Sequence, residues 1–365
     1  MIKVLNIISD SNIGGAGKCV LIFCENYDRT KIDLTVAVPQ NSKLKPEIER
    51  RGVKVMEVPF ISDISFSVKG VKALMKIIKE VRPDVVHTHA SMAGRIAARL
   101  SGVKKIVYTL HCVYEPSAKM KSPAGKLLNK TVSKLFTTDI VAVAQAAKDN
   151  LTAVGINQNN IRVILNGITP LVPLSEDEKS FERKRFGINE GQKVVSIIAR
   201  LEPVKGHKCF IDAAHIIHER GYDVKFIIAG TGTAEKNLHE YAAAKGNDVE
   251  FVGFIPDPEK LISVTDISAN ASYGTEATSI SLLEGMSLGV PAVVSDYGGN
   301  PGVIKDGVNG YLFPTHDAKT MADKIELLLN NEEKYGEISK NALKIFKERF
   351  TADIYTKNIE SVYLK

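Results

Sequence analysis

The sequence contains no tryptophan, only four cysteines and no apolar run long enough to cross a bilayer. Because its lysines are not interleaved with aromatic residues, a nucleic-acid surface built on base stacking is disfavoured. The cysteines have neither the spacing of a zinc site nor that of a disulfide framework, which favours a reducing cytoplasm. They are Cys19, Cys24, Cys112 and Cys209.

Length and charge suggest two domains of different character. At 365 residues the chain exceeds the size at which a single hydrophobic core usually stops growing. Residues 1–170 carry 25 Lys and Arg against 13 Asp and Glu, whereas the remainder carries 23 against 29. A basic half beside an acidic half suggests that the first half meets an anionic surface or ligand. Ordinary solvated lysines are the alternative explanation.

Short β-type runs alternate with helical patterns along the first half. Such alternation implies a parallel sheet with helices on both faces, in which ligands bind beyond the carboxyl ends of the strands. The strands are predicted at 3–9, 33–39, 53–59, 84–89, 104–111 and 139–144. Helices are predicted near 44–51 and 68–80.

A glycine loop, NIGGAGK at 12–18, follows the first predicted strand and precedes a helical pattern. A strand, glycine loop and helix in this order present backbone amides to a phosphate, here around Gly14 and Gly15. The loop lacks the third glycine of the dinucleotide fingerprint, and Asn12 stands where the Walker motif needs its first glycine. NAD-binding and ATP-binding loops are therefore disfavoured, whereas a glycine-lined phosphate or sugar contact stays open.

Three histidines fall at predicted strand ends. We place His87 and His89 on opposite faces of their strand, which would make them a poor metal pair. Each is more readily explained as a packed or hydrogen-bonded histidine. His111 is the better functional candidate, because it ends a strand and opens a long connection where an imidazole can hydrogen-bond a substrate hydroxyl.

That connection contains a basic amphipathic helix within 119–136. Lys126, Lys130 and Lys134 recur every four residues. An apolar stripe accompanies them, made of Leu127, Leu128, Val132, Leu135 and Phe136. Such a helix is typical of proteins that lie on an anionic membrane. The equal alternative is a surface helix that packs this stripe on its own domain.

The second half repeats the strand and helix alternation after a proline-containing stretch at 163–174, which predicts the link between domains. Arg200 and Lys205 share the loop after the first strand of this half, an arrangement that suits a diphosphate clamp. Strands are predicted from 193 and at 224–230, 249–255, 266–272 and 292–295.

The segment 273–302, YGTEATSISLLEGMSLGVPAVVSDYGGNPG, holds two carboxylates eight positions apart, Glu276 and Glu284. A helix predicted to begin between them offers free backbone N–H groups and the positive end of its dipole to a phosphate. Two alternatives remain open. Ser281 and Glu284 match a capping box, and Glu276 suits an ordinary loop carboxylate.

Several motifs together resemble the retaining glycosyltransferases of family 4, the group 1 set with the GT-B fold. They are IGGAG, DVVHTHAS, YTLHC, VILNGI, ARLEPVKG, IIAGTG and the 273–302 segment, and the resemblance covers nearly the whole chain. It implies an α/β protein with two Rossmann-like parallel-sheet domains facing each other across a cleft. Residues 1–170, with a C-terminal helix at about 350–365, would form the acceptor side, and residues 171–349 would bind the nucleotide sugar.

The resemblance also implies roles for individual residues. Arg200 and Lys205 would stabilise the charge that grows on the departing diphosphate, and His111 and Glu276 would contact the transferred sugar. Glu284 would accept hydrogen bonds from the ribose. The remaining donor-binding residues would be Gly14, Gly15, Gly230, Gly232, Phe254, Ser279, Ile280 and Ser281.

The implied activity is retaining transfer of a hexose or N-acetylhexosamine from a nucleotide-diphosphate sugar, most often a UDP-sugar, with no metal and no cofactor. The acceptor would be a hydroxyl of a glycan, a lipid-linked glycan or a glycolipid. The basic first half and Lys126, Lys130 and Lys134 favour a cytoplasmic protein that is peripheral at the inner face of the membrane. A nucleotide-sugar epimerase of similar fold and a catalytically silent nucleotide-sugar-binding protein are the alternatives.

Three positions depart from the family pattern: Gly17, Ala277 and Gly302. The first and the last stand where the family often has a glutamate, and Ala277 stands where it often has glycine. These changes affect the sugar pocket more than the diphosphate site.

Overall fold

The chain forms two units in a computed structural model that describes residues 1–365 in full. The first unit comprises Met1–Thr169 together with Ala352–Lys365, and the second comprises Pro170–Thr351. Residues 164–175, around the first crossing between them, contain no helix.

The first unit is built on a parallel sheet of seven strands, in the order β3-β2-β1-β4-β5-β6-β7. Its strands are β1 (Ile2–Ile8), β2 (Ile32–Pro39), β3 (Lys54–Val58), β4 (Val85–His89), β5 (Lys105–Leu110), β6 (Asp139–Ala142) and β7 (Ile161–Val163). Its first seven helices are α1 (Gly15–Asn26), α2 (Leu44–Arg50), α3 (Val68–Val81), α4 (Met92–Leu100), α5 (Ala118–Lys121), α6 (Pro123–Phe136) and α7 (Gln145–Ala153).

The second unit repeats this plan with six parallel strands in the order β10-β9-β8-β11-β12-β13. Its strands are β8 (Lys193–Ile198), β9 (Val224–Ala229), β10 (Glu250–Gly253), β11 (Ile267–Asn270), β12 (Ala292–Ser295) and β13 (Tyr311–Phe313). Its helices are α8 (Glu176–Arg185), α9 (His207–Glu219), α10 (Glu235–Ala244), α11 (Pro258–Ile262), α12 (Ile280–Ser287), α13 (Asn300–Val303), α14 (Ala318–Asn330) and α15 (Glu332–Arg349). The predicted class, two Rossmann-like parallel-sheet α/β domains, is confirmed.

The final helix, α16 (Ala352–Leu364), returns to the first unit. Its residues Tyr355, Ile359 and Val362 are buried in the core beside α1. The ring of Tyr363 packs edge-on against Phe23, with 5.6 Å between ring centroids. This helix therefore supplies part of the hydrophobic core on one face of the first sheet.

In each parallel sheet, the order in which the chain adds strands reverses once, from one side of the first strand to the other. From β1 the chain moves outward through β2 and β3, then returns to the other side of β1 at β4; the second sheet does the same at β8 and β11. At such reversals the loops leave on opposite sides and a crevice opens beyond the strands' carboxyl ends.

None of the helices combines the length and apolar character that crossing a bilayer requires.

Candidate active site

The reversal in the second sheet brings together the two loops that carry the predicted clamp. β8 pairs directly with β11, so the loop after β8 lies beside the loop after β11. The first loop carries Arg200 and Lys205, and the second carries Glu276. These residues therefore stand where open α/β sheets bind their ligands.

Lys205 and Glu276 form a partly desolvated ion pair, with 2.8 Å between Lys205 Nζ and Glu276 Oε2. Their side chains are only 14% and 9% exposed. Ser272 Oγ donates to the same carboxylate oxygen at 2.9 Å, and Asn270 Nδ2 does so at 3.3 Å. Glu276 thus fixes the position of the Lys205 ammonium, whereas Arg200 in the same loop is exposed to solvent.

Backbone packing fixes the loop that carries these cations. Gly206, immediately after Lys205, has φ +72°, and a Cβ added to it would lie 1.9 Å from the carbonyl oxygen of Ala271. A side chain at this position is therefore disfavoured both by conformation and by space. The loops after β8 and β11 touch through this glycine.

Gly230 and Gly232, predicted to border the nucleotide, lie against the other side of the same loop. A Cβ on Gly230 would come within 2.0 Å of the Ala199 carbonyl oxygen, and one on Gly232 within 2.4 Å of that of Leu201. The glycines let the loop after β9 approach the backbone on both sides of Arg200. Phe254, just beyond β10, is exposed.

The helix α12 begins as the sequence suggests, but its cap differs from the capping-box alternative. Ser279 is the N-cap, and its hydroxyl accepts from the Leu282 N–H. Ser281 lies inside the first turn and donates its hydroxyl proton to the Ile198 carbonyl, so it does not cap with Glu284. The N–H groups of Ile280 and Ser281 belong to the first turn, which has no intrahelical acceptors. Glu284 is buried in the second turn.

The first unit presents Gly14 and Gly15 at the start of α1, beyond the carboxyl end of β1. A Cβ added to either glycine would meet nothing within 4 Å, so internal packing does not explain them. Gly17 differs, because a Cβ there would lie 3.0 Å from a methyl group of Leu44 on α2. A side chain at Gly17 would therefore require Leu44 to shift by a few tenths of an ångström.

The three histidines correct one prediction. His87 and His89 do not lie on opposite faces, since residues two apart in a strand share a face, and their ring centroids are 4.4 Å apart. His87 hydrogen-bonds Tyr363 and Thr109, each at 2.6 Å. Burial lowers the pKa of His87 to about 3 and that of His111 to about 4, and the pKa of His89 falls well below its ordinary value. All three imidazoles are therefore neutral near pH 7.

The sequence did not predict that His89 hydrogen-bonds both His111 and Asn6. His89 Nδ1 lies 2.7 Å from His111 Nε2, and His89 Nε2 lies 2.6 Å from Asn6 Oδ1. His111 Nδ1 is buried and has no partner in the protein. Asn6 was visible as a polar residue inside an apolar strand, which is the signal that could have identified it.

The basic helix α6 leaves the three leucines of its apolar stripe exposed, whereas Val132 and Phe136 are half-buried. None of its residues is buried. Leu127, Leu128 and Leu135 are each more than half exposed, and Lys126, Lys130 and Lys134 are also exposed. The alternative in which this stripe packs on its own domain therefore fails for these leucines.

A second exposed apolar segment, missed from the sequence, joins β3 to α3. Phe60, Ile64 and Phe66 are exposed in it, and so is Val68 at the start of α3. Its middle is tied down, because Asp63 accepts hydrogen bonds from the Ser11 backbone and hydroxyl. The first unit therefore presents apolar side chains on α6 and on this segment.

Comparison with known proteins follows the same division of the chain. The profile described as Glycosyltransferase Family 4 matches residues 13–170, and that described as Glycosyl transferases group 1 matches residues 178–345. The chain is 26% identical over 337 residues to the UDP-Gal:alpha-D-GlcNAc-diphosphoundecaprenol alpha-1,3-galactosyltransferase of Escherichia coli, across 87% of this chain and 85% of that protein. It is 25% identical over 336 residues to the N-acetyl-alpha-D-glucosaminyl L-malate synthase of Bacillus anthracis, across 88% and 85%.

Among solved structures, Anabaena Alr3699/HepE in complex with UDP-glucose matches with a TM-score of 0.86 at 23% identity. The match covers 100% of this chain and 99% of that one. At this identity the likeness speaks for the fold, and it confirms the predicted GT-B class.

Proposed function

Because the chain belongs to the group 1 glycosyltransferases of family 4, we propose that it transfers a hexose or N-acetylhexosamine from a UDP-sugar to a hydroxyl acceptor, with retention of configuration and without a metal. The acceptor is a glycan, a lipid-linked glycan or a glycolipid. The observation that carries this proposal is the Lys205–Glu276 pair beside Arg200 and the α12 N-terminus, beyond the carboxyl ends of β8 and β11. The UDP named for a relative and for a structural neighbour supports the choice of nucleotide.

The clamp supplies the chemistry that a metal supplies in other transferases. As the sugar leaves, negative charge grows on the diphosphate, and fixed cations and amides stabilise that charge more than they stabilise the ground state. Arg200 and Lys205 provide the cations, and the N–H groups at Ile280 and Ser281 provide the amides. Glu276 holds Lys205 and contacts the sugar hydroxyls, Glu284 binds the ribose, and His111 hydrogen-bonds the transferred sugar.

Nucleotide release identifies the donor and tests the metal requirement. With EDTA present and no acceptor, we expect slow release of UDP from one member of a panel of UDP-, GDP- and ADP-sugars. The slow rate follows because water replaces the acceptor. Release that stops in EDTA and returns with a divalent cation would contradict the metal-free mechanism. A lack of both release and thermal stabilisation by every nucleotide would contradict the donor site itself.

The exposed face of α6 supports an acceptor at the inner face of a membrane. Each lysine near an anionic surface contributes about 1 kcal/mol, and exposed leucines add apolar burial at the interface. We therefore propose that Lys126, Lys130 and Lys134 bind anionic headgroups beside Leu127 and Leu128. A soluble glycan acceptor would leave this face without a role.

Vesicle co-sedimentation tests this surface. The protein is expected to pellet with vesicles containing phosphatidylglycerol and not with pure phosphatidylcholine, and replacing the three α6 lysines with glutamate should weaken binding by about 100-fold or more. A matched control carries the same charge change on α15 of the second unit, at Lys340, Lys344 and Lys347, which are also exposed. Equal loss of binding in both variants would reduce the effect to net charge and contradict a specific role for α6.

A further inference from the structure

We propose that Asn6 and His89 are positioning residues that fix His111 as a hydrogen-bond acceptor for a hydroxyl of the transferred sugar. The proposal rests on the proposed function only in naming that hydroxyl as the donor of the hydrogen bond. Hydrogen bonds run from Asn6 through His89 to His111, and the direction of each one follows from groups inside the first unit.

This series of hydrogen bonds begins at Asn6, which is buried in β1. Its Oδ1 lies 2.6 Å from His89 Nε2, on the neighbouring strand β4. An amide oxygen only accepts hydrogen bonds, so Nε2 of His89 carries the proton. Because burial keeps His89 neutral, its Nδ1 has no proton and presents a lone pair.

The second step passes this polarity to His111. His89 Nδ1 lies 2.7 Å from His111 Nε2, so a lone pair on the first nitrogen requires a proton on the second. The neutral His111 then has a bare Nδ1, which is the buried atom that lacks a partner in the protein. His111 Nδ1 is therefore an unused hydrogen-bond acceptor, and it cannot donate without reversing both hydrogen bonds behind it.

His87 packs against His89 but takes no part in the hydrogen bonds from Asn6 to His111. Its ring lies against that of His89, with 4.4 Å between centroids, and its two nitrogens are occupied by Tyr363 and Thr109. The His89 ring is thus held by packing on one side and by a hydrogen bond at each nitrogen. The two hydrogen bonds of His89, rather than those of His87, decide which nitrogen of His111 carries the proton.

An acceptor at this position favours the transition state over the bound substrate. A sugar hydroxyl that donates to a neutral imidazole gains electron density on its oxygen. That density stabilises the positive charge that develops at the anomeric carbon as the diphosphate leaves. These hydrogen bonds should therefore influence kcat more than KM for the donor, since their stabilisation of the reacting sugar grows as the charge develops.

Nitrogen NMR of the unaltered protein tests the tautomer directly. With histidine labelled with 15N, the two ring nitrogens of a neutral imidazole give distinct signals, and His111→Phe identifies which signals belong to His111. We expect His111 protonated on Nε2 and bare on Nδ1 at pH 7. A proton on Nδ1 would overturn the proposal. This measurement needs no turnover, so its result stands apart from the outcome of the donor panel.

Two variants of buried residues separate positioning from simple support. Asn6→Leu removes the acceptor behind His89, so His89 can move its proton to Nδ1 and drive one onto His111 Nδ1. We expect the His111 signals to shift toward that tautomer, with kcat lowered by about 10- to 100-fold and KM for the donor within about 2-fold. Thr109→Val removes a hydrogen bond of His87 but leaves the chain intact, so both the tautomer and kcat should be retained.

Comparing kcat of Asn6→Leu with kcat of Thr109→Val shows whether Asn6 positions His111 or only supports the fold. Equal losses of kcat in Asn6→Leu and Thr109→Val would indicate a merely structural role and overturn the proposal. Unchanged His111 signals in Asn6→Leu would overturn it as well. If Asn6→Leu does not fold, the tautomer of the unaltered protein still decides whether the chain has the inferred direction.

Discussion

Replacing Arg200 with methionine is expected to lower kcat/KM for transfer by about 10²–10³-fold, while the free energy of unfolding stays nearly unchanged. The side chain is exposed, so its removal leaves no buried partner behind. Its charge matters only when a diphosphate is present and becoming more negative. Initial rates of UDP release with acceptor, together with urea unfolding of the same samples, measure both quantities.

Lys205→Met should produce a comparable loss of activity but a different stability. Its ammonium is paired with the buried Glu276 carboxylate, and removing one partner of such a pair costs about 3 kcal/mol. Lys208→Met is the matched control, because Lys208 is exposed in the first turn of α9, over the ring of Tyr241. Full activity in both Arg200→Met and Lys205→Met would refute the clamp, whereas loss in Lys208→Met would point to general charge effects.

Gly206→Ala is expected to destabilise the second unit by about 3 kcal/mol or more. The left-handed conformation at φ +72° costs a non-glycine residue about 1–2 kcal/mol. The new Cβ would also overlap the Ala271 carbonyl oxygen at 1.9 Å, and relieving this overlap costs about 1–3 kcal/mol more. Since Lys205 is the preceding residue, relief of the clash should also displace the clamp and raise KM for the donor.

Gly191→Ala provides a control with nearly the same backbone angle. Gly191 has φ +73°, but a Cβ there meets nothing within 4 Å. We expect a loss of about 1–2 kcal/mol from conformation alone and no change in KM. Urea unfolding of the two variants therefore separates the cost of the angle from the cost of the contact. Equal losses would show that the approach to Ala271 relaxes freely.

Local pattern was enough to predict most of the two sheets, because strand and helix periodicities are properties of neighbouring residues. The strand β13 was missed, since Tyr311–Phe313 is too short to show alternation. The exposed positions of Leu127 and Leu128 were left open, because a helical stripe has the same spacing whether or not a neighbour covers it. Membership of the family came from long motifs, which extend beyond any single element.

The contacts that shape the candidate site were less accessible to sequence reasoning. Lys205 and Glu276 are 71 positions apart, and their pairing depends on β8 and β11 being neighbours in the sheet. The link from Asn6 to His89 likewise depends on β1 lying beside β4. The error at His87 and His89 was avoidable, because the alternation of a strand alone places them on one face.

The return of α16 to the first unit has a consequence for how the protein is made. The ribosome completes Pro170–Thr351 as one uninterrupted stretch, so the second unit holds all of its own residues before Ala352 is added. The first unit must wait, with the surface around Phe23 uncovered, until Tyr363 has emerged. Until then part of this apolar surface stays uncovered, so the first unit completes its core after the second, although most of it comes before the second in the sequence.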